Sequence, residues 1–265
     1  MRIPYYRIDA FASGPFQGNP AGVCILEHWL PDELMQKIAQ ENRHSETAFV
    51  VAAAGIFQLR WFTPVKEVRL CGHATLAAAF ALFEHRGHPG TAIQFETASG
   101  PLMVEREGSL LVLDLPPRPT EPCETPVALV RALNQPPLET RRARAYLAVL
   151  ATESDVRTLQ PDLKAVEELD AAGLIVTAPG QDVDFVSRYF APRLGVPEDP
   201  VTGSAHCALI PYWSERLGKT RMNALQLSAR GGALRCEHLG ERVKIGGQAV
   251  SYLSGSIDFP ALPVS

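Results

Sequence analysis

The chain has 265 residues, 46% of them apolar and 20% charged, with a formal net charge of −4; this is the balance of a globular protein that can bury its own core as one large domain or two lobes. With no basic stripe there is no footing for nucleic-acid binding, and the short run Arg141-Arg142-Ala143-Arg144 reads as a solvated turn. The opening MRIPYYRIDAFASG is charged where a secretory leader needs an apolar run, stretches such as TAFVVAAAGIF are too short for a bilayer, and the five cysteines (Cys24, Cys71, Cys123, Cys207, Cys236) form no CxxC pair, so the expectation is a cytoplasmic chain with reduced thiols and no membrane role.

In chain order, alternating or β-branched runs predict strands at YYRIDAFA and AGVCIL. PDELMQKIAQ follows as a helix, with Pro31 at its start and acids in its first turn. TAFVVAA and QLRWF resume the strand pattern, and GHATLAAAFALFEH from Gly72 predicts the first long helix. AIQFETA and LLVLDL are strands, and PPRPTEPCETP (116–126) reads as a linker, because its prolines lock extended backbone. The second half repeats the texture with AYLAVLA, GLIVTAP, DFVSRYF, ALQLSA and ERVKIGG as strands. Among them GSAHCALIPYWSERLG from Gly203 predicts a second long helix, kinked or tightened by Pro211.

The two long helices belong to a repeat. Arg60-Trp61-Phe62-Thr63-Pro64 matches Arg188-Tyr189-Phe190-Ala191-Pro192, and each is followed by a loop and a glycine-started helix, Gly72-His73-Ala74 and Gly203-Ser204-Ala205. The glycines stand 131 residues apart, which predicts duplication of a whole lobe. A helix N-terminus carries unpaired N–H groups and partial positive charge, and glycine there lets a carboxylate or phosphate approach the backbone. Singly, each junction reads equally well as a turn glycine with an ordinary cap; two in register point to paired anion-binding ends facing an interlobe cleft.

Glu46 heads the apolar strand TAFVVAA, where desolvation would raise its pKa toward a value suited to both taking and giving a proton, although an exposed strand-end acid is the plainer reading. Asp199 precedes Pro200 and the Thr202-Gly203-Ser204 turn, as a site acid or a loop acid. His73, in the first helical turn, should be neutral beside the positive helix end, offering one donor and one acceptor nitrogen. Cys71 raises a thiol alternative, but the matching stretch Pro200-Val201-Thr202-Gly203 has no cysteine, and Cys207 falls inside the helix as a small buried hydrophobe. Ligand-type residues (Cys71, His73, Asp199, His206, Cys207) show no HxxxH, HExxH or CxxC spacing, so no metal is expected; GxGxxG, GxxxxGK[ST] and GxSxG are absent, which removes the usual signals for nucleotides and serine hydrolysis.

DAFASGPFQGNPAGV, SETAFV, RWFTP, CGHATLA, DPVTGSAHC and the closing YLSGSIDF occur in this order along essentially the whole chain. Together they resemble the phenazine-biosynthesis PhzF-like isomerases. That resemblance implies an α+β, diaminopimelate-epimerase-like fold of two similar lobes, each a barrel-like sheet around a central helix. The lobes would be 1–115 with roughly 250–265, and 126–249, with the active site in the cleft between them. It further implies cofactor-free acid/base chemistry on a small carboxylic acid and, commonly, a homodimer. Position by position, Glu46 would be the proton shuttle and His73 its partner against the substrate. Asp199 would act with them, alongside Ser204 in binding and orienting. Gly72 and Gly203 would supply N–H groups to a carboxylate, and Asn19 would lie near the cleft, where a Gly-Asn-Pro turn explains it equally well. CGH also resembles proline racemases and diaminopimelate epimerases, in which the cysteine is catalytic; the missing second cysteine favours the carboxylate mechanism. A single-thiol epimerase using Cys71 and a non-catalytic small-carboxylate binder are the alternatives.

Overall fold

The computed structural model describes residues 1–53 and 55–259, the side chain of Ala53 excepted. The chain forms two compact units. The first is Met1–Leu113 together with the described chain from Gly247 onward, and the second is Asp114–Gly246. No helix of the described residues is long and apolar enough to cross a membrane. No disulfide links the cysteines.

In the first unit, β1 (Arg2–Ala10), β2 (Asn19–Leu26), α1 (Asp32–Asn42), β3 (Glu46–Ala53), β4 (Ile56–Phe62) and β5 (Glu67–Val68) lead to α2 (Gly72–His85). There follow β6 (Ala92–Glu96), β7 (Leu102–Glu107) and β8 (Leu110–Leu115), along which the chain leaves this unit. The second unit runs β9 (Glu121–Pro122), α3 (Val127–Leu133), β10 (Glu139–Arg142), β11 (Tyr146–Val149), α4 (Glu153–Thr158), α5 (Leu163–Glu168), β12 (Leu174–Pro179), β13 (Phe185–Ala191) and β14 (Val196–Asp199). It ends with α6 (Gly203–Leu217), β15 (Arg221–Gln226), β16 (Gly232–His238) and β17 (Val243–Gly247), after which β18 (Ala249–Asp258) returns to the first unit.

The strands of the two units pair in one order. In the first unit β18, β1 and β2 pair antiparallel; β2–β3 is parallel, β3–β4 antiparallel, β4–β6 parallel and β6–β7 antiparallel, with β5 added to β4. In the second, β9, β10 and β11 pair antiparallel; β11–β12 is parallel, β12–β13 antiparallel, β13–β15 parallel and β15–β16 antiparallel, with β14 added to β13. The long helix follows the short added strand in both. The repeated arginine has the same job twice. Arg60 forks onto Glu67 of β5 at 2.7 Å through each contact, and Arg188 forks onto Glu198 of β14 at 2.7 and 3.0 Å. Each also holds a flanking helix: Arg60 donates to Asp32 at the start of α1, and Arg188 donates to the Val156 and Leu159 carbonyls around the end of α4.

Helix α2 is apolar all round and built largely of alanine, so it can be buried on every side. Gly72 to Ala79 and Ala81 to Phe83 are all buried, and the helix packs against β1, β2, β3, β7 and β18. On the other sheet face Met35, Ile38 and Ala39 of α1, spaced for one helical stripe, pack with Cys24, Leu26, Phe49, Val51 and Phe62. Strands β2 and β3 thus lie between two helices, which is why their apolar runs are nearly unbroken. Each large α1 side chain buried there contributes about 1.5–3 kcal/mol. In the second unit α3, α4 and α5 supply the corresponding outer cluster, with Leu129, Leu133, Val156 and Val166 against Leu174, Val176 and Phe190.

Two sequence expectations change. The proline segment 116–126 is not a spacer: it lies inside the second unit and supplies the edge strand β9, an extended role that prolines tolerate. The Arg141–Arg142 pair is not a solvated turn but strand β10. Arg141 donates to the Thr120 hydroxyl and carbonyl and to Glu139, and Arg142 donates to Asp170. Helix α6 continues through Pro211. Proline cannot donate to the carbonyl four residues back; that carbonyl, of Cys207, accepts the Arg118 N–H at 2.8 Å instead.

Candidate functional site

In the first unit, alternation decides which strand side chains meet α2. Cys24, Leu26, Phe49 and Val51 face α1, so Asn19 on β2 and Glu46 on β3 point to the opposite, α2-facing side. The parallel register Ala21↔Glu46 sets these two residues near each other at the start of their strands. The turn feeding β2 depends on Gly18, whose φ is +63° and where a Cβ would stand 2.1 Å from the Ala10 carbonyl oxygen. Helix α2 begins at the same place, with Cys71 at the N-cap in extended conformation.

These elements bring Glu46, Cys71 and His73 together: one ligand-type atom from each lies within 4.8 Å of the others. The His73 Nε2 is 3.3 Å from the Glu46 Oε2, and His73 is 4% exposed. The carboxylate alone would favour the imidazolium, but burial acts the other way and prevails. His73 is pushed down to about 3, with His44 adding to the effect, so it is neutral near pH 7. The contact is therefore a hydrogen bond and not an ion pair.

The network also selects the tautomer. The Asn19 amide nitrogen lies 3.2 Å from the His73 Nδ1, and the Asn19 Oδ1 accepts the Ser45 hydroxyl at 3.2 Å. An amide N–H facing Nδ1 makes that nitrogen the acceptor and leaves the proton on Nε2. From there it is shared between the Glu46 Oε2 and the Ser45 Oγ, the latter at 3.2 Å. Asn19 has no exposed surface, so it stands behind the imidazole and holds it. The Cys71 sulfur touches the same ring, 3.5 Å from Nδ1, and the residue is 7% exposed.

In the second unit, Asp199 ends β14 and Thr202 is the N-cap of α6. The Thr202 hydroxyl donates to the Asp199 Oδ2 at 2.6 Å. Gln226, at the end of β15 and 1% exposed, ties the turn from behind. Its Oε1 accepts the Thr202 N–H at 2.8 Å, and its Nε2 donates to the Asp199 carbonyl at 2.7 Å and to the Thr202 Oγ1 at 3.1 Å. Ser204 is exposed in the first turn of α6, and Gly203 is buried. Cys207 is enclosed, its thiol pushed up to about 11 by burial. His206 is fully buried, bonded through Nδ1 to the Thr202 carbonyl and pushed down to about 4 by burial.

Neither α2 nor α6 is closed by a side-chain cap, as is also true of α1 and α3, whereas α4 carries a full capping box from Thr152 and Asp155, and α5 is capped by Asp162. The predicted residues thus fall into two groups: Asn19, Glu46, Gly72 and His73 in the first unit, and Asp199, Gly203 and Ser204 in the second. Sequence reasoning missed Ser45 and Gln226. Gln226 left a signal: it is a polar residue on the buried side of a strand whose partners in alternation are Met222 and Ala224.

Comparison with known proteins agrees with this architecture. The family profile described as phenazine biosynthesis-like protein matches residues 8–255. A protein of Pseudomonas aeruginosa named as an uncharacterized isomerase is 50% identical over 257 residues, covering 97% of this chain and 99% of its own length. The crystal structure of a PhzF-family phenazine biosynthesis protein from Enterococcus faecalis superposes with a TM-score of 0.96 at 46% identity, over 98% of this chain and 100% of that one. A hydroxyproline epimerase from Agrobacterium vitis shares the fold, with a TM-score of 0.64 at 11% identity over 97% of this chain and 92% of that one. With a mixed, sheet-rich fold like that of the epimerase, the chain belongs to the PhzF, or phenazine biosynthesis-like, family.

Proposed function

We propose that the protein is a cofactor-independent isomerase that moves a proton between two carbons of a small carboxylic acid, cyclic or unsaturated, of the dihydro-hydroxyanthranilate type. The observation that carries this reading is the Glu46 carboxylate, 17% exposed at its side chain, beside a buried neutral imidazole whose N–H faces it. Glu46 takes a proton from the activated carbon, and the electron pair left behind delocalises toward the substrate's unsaturation. Glu46 then returns the proton to a second carbon, so no oxidant or reductant is consumed. A positioned base of this kind contributes about 10²–10⁴-fold. His73 donates its Nε2–H and steadies the charge that moves on and off Glu46; Asn19 and Ser45 hold the ring. The uncapped ends of α2 and α6, at Gly72 and Gly203, suit a substrate carboxylate, with Ser204 and Asp199 orienting the molecule.

Glu46→Gln keeps the side-chain shape and removes its basicity. It should abolish solvent-deuterium incorporation into a turned-over carboxylic acid while leaving calorimetric binding of that acid within a few-fold. Undiminished exchange in the variant rejects the assignment. The contact between Cys71 and His73 supports a second reading, a single-thiol epimerase. A thiolate–imidazolium pair needs a protonated ring, which burial of His73 opposes; Cys71→Ser separates the two, since only a thiol enzyme loses turnover.

A further inference from the structure

We propose that a cavity beside the C-terminal half of α2 binds a free α-amino acid with an apolar side chain. The cavity measures about 290 Å³, close to the lower bound of the range of about 300–1,000 Å³ for small-molecule sites, and lies wholly within the first unit. Its walls include Phe80 and Glu84 of α2, Arg106, Ser109 and Leu111 of the β7–β8 hairpin, and Gln248 where the chain enters β18. Glu84 is about 18 Å along the helix from Gly72, at about 1.5 Å per residue, so this site is separate from the Glu46–His73 pair. Local structure places each wall. Between Gly72 and Phe83 every residue except Phe80 is buried, and Glu84 follows Phe80 at the four-residue spacing of one helix face. On β7, alternation sets Arg106 on the same side as the buried Leu102 and Val104. There its guanidinium lies 4.3 Å over the Phe83 ring and donates to the Glu84 Oε1 at 2.6 Å. Gln248 is fixed by its carbonyl, which accepts the Ala12 N–H at 3.0 Å, and its Nε2 donates to the Ser109 Oγ at 3.0 Å.

The polar groups select the ligand. The Arg106 and Glu84 side chains are 34% and 47% exposed, so their pair adds little to stability by itself and stays open to a ligand. Among the described residues, only one of the two terminal guanidinium nitrogens of Arg106 donates to a hydrogen-bond partner, and the Glu84 Oε2 and the Gln248 Oε1 accept from none. A plain anion placed here meets the Glu84 carboxylate, and a plain amine meets the Arg106 guanidinium. An α-amino acid suits both: its carboxylate accepts from Arg106 and from the Ser109 hydroxyl, and its ammonium donates to Glu84 and to the Gln248 Oε1. Phe80 and the buried Leu111 then offer apolar surface to its side chain.

The test is calorimetric titration of the purified full chain with L-leucine, with backbone amide NMR shifts to locate the complex. The expected result is one saturable site per chain, with shifts concentrated at Ser109, Leu111 and Gln248 and not at Glu46 and His73. Isocaproate lacks the ammonium and isoamylamine lacks the carboxylate; each leaves a charged partner unpaired and should bind more than about ten-fold more weakly. Glycine, which leaves Phe80 and Leu111 uncovered, should also bind more than about ten-fold more weakly. Arg106→Gln and Glu84→Gln should each weaken leucine binding by more than about ten-fold, with circular dichroism unchanged. Should a variant fail to fold, the three comparison ligands on the unmodified chain decide. Absence of leucine binding, a comparison ligand that binds as tightly as leucine, unchanged affinity in both variants, or shifts confined to Glu46 and His73 overturns the proposal. None of these outcomes depends on Glu46 acting as a base, so the isomerase reading is tested separately.

Discussion

Asn19→Asp tests the hydrogen-bond logic of the site without requiring a substrate. The substitution is nearly isosteric and replaces an amide N–H that donates to the His73 Nδ1 at 3.2 Å with an oxygen that can only accept. The ring must then carry a proton on Nδ1, either by changing tautomer or by becoming the imidazolium. A new unit charge about 4 Å from the ring, at an effective dielectric of about 20, is worth about 4 kcal/mol, or about three pKa units. Against this stands the cost of burying the new carboxylate. His73 lies at about 3 in the native environment; in Asn19→Asp it should titrate about two to three units higher. The assay is an NMR titration of the imidazole carbon and nitrogen resonances from pH 7.5 to 4, with His73 assigned by its loss in His73→Gln. In the unmodified chain the His73 shifts should stay those of the neutral Nε2–H form throughout. In Asn19→Asp they should move to the Nδ1–H or doubly protonated form within that range. A His73 that stays neutral with its proton on Nε2 in the variant would refute the claim that Asn19 selects the tautomer.

Two further outcomes follow from other parts of the structure. Gln226→Leu removes three hydrogen bonds in a site 1% exposed and leaves the Thr202 N–H buried without its acceptor; urea denaturation should show a loss of about 2–4 kcal/mol. Both His73 and His206 are held neutral by burial, at about 3 and about 4 against an ordinary 6.5. Below pH 6.5 the unfolded chain therefore binds protons that the folded chain refuses. Stability is fully present above pH 6.5 and falls as the pH drops toward 4, with a slope approaching about 1.4 kcal/mol per pH unit for each histidine. Denaturation midpoints at pH 7, 6 and 5 should track this, and His206→Gln should flatten the fall.

How much of this was legible in the sequence depended on where each signal resides. The central helices were legible because a run such as HATLAAAFALF has no polar face to confuse it, and the duplication showed because Arg60 and Arg188 are bound to the same architectural task in both units. Glu46 and His73 could be named because an acid at the head of an apolar strand and a histidine in a helix's first turn are local features. The network joining them was not legible: Asn19, Ser45 and His73 meet only after β2, β3 and α2 are assembled. Strands β7, β10, β16 and β18 were missed for another reason. LMVERE, ETRR, GALRCEH and AVSYLSGSID put charged or small polar residues on exposed faces, which dilutes the alternation that the buried strands display. The short helices α3, α4 and α5 have six or seven residues, too few turns for a periodic stripe. Arg118 shows the limit most plainly, since nothing near it in sequence hints that its N–H takes the place that Pro211 leaves empty.

The pairing of β18 with β1, from Arg2↔Asp258 to Ala10↔Ala249, has a consequence for biosynthesis. A ribosome makes β1 long before β18, so β1 must wait until the whole second unit has been made before this second neighbour exists. The later-made unit is contiguous and has all its strands available sooner. Order of synthesis and order of completion are therefore inverted, and β1 lacks the strand that will cover its outer edge until the second unit has been made.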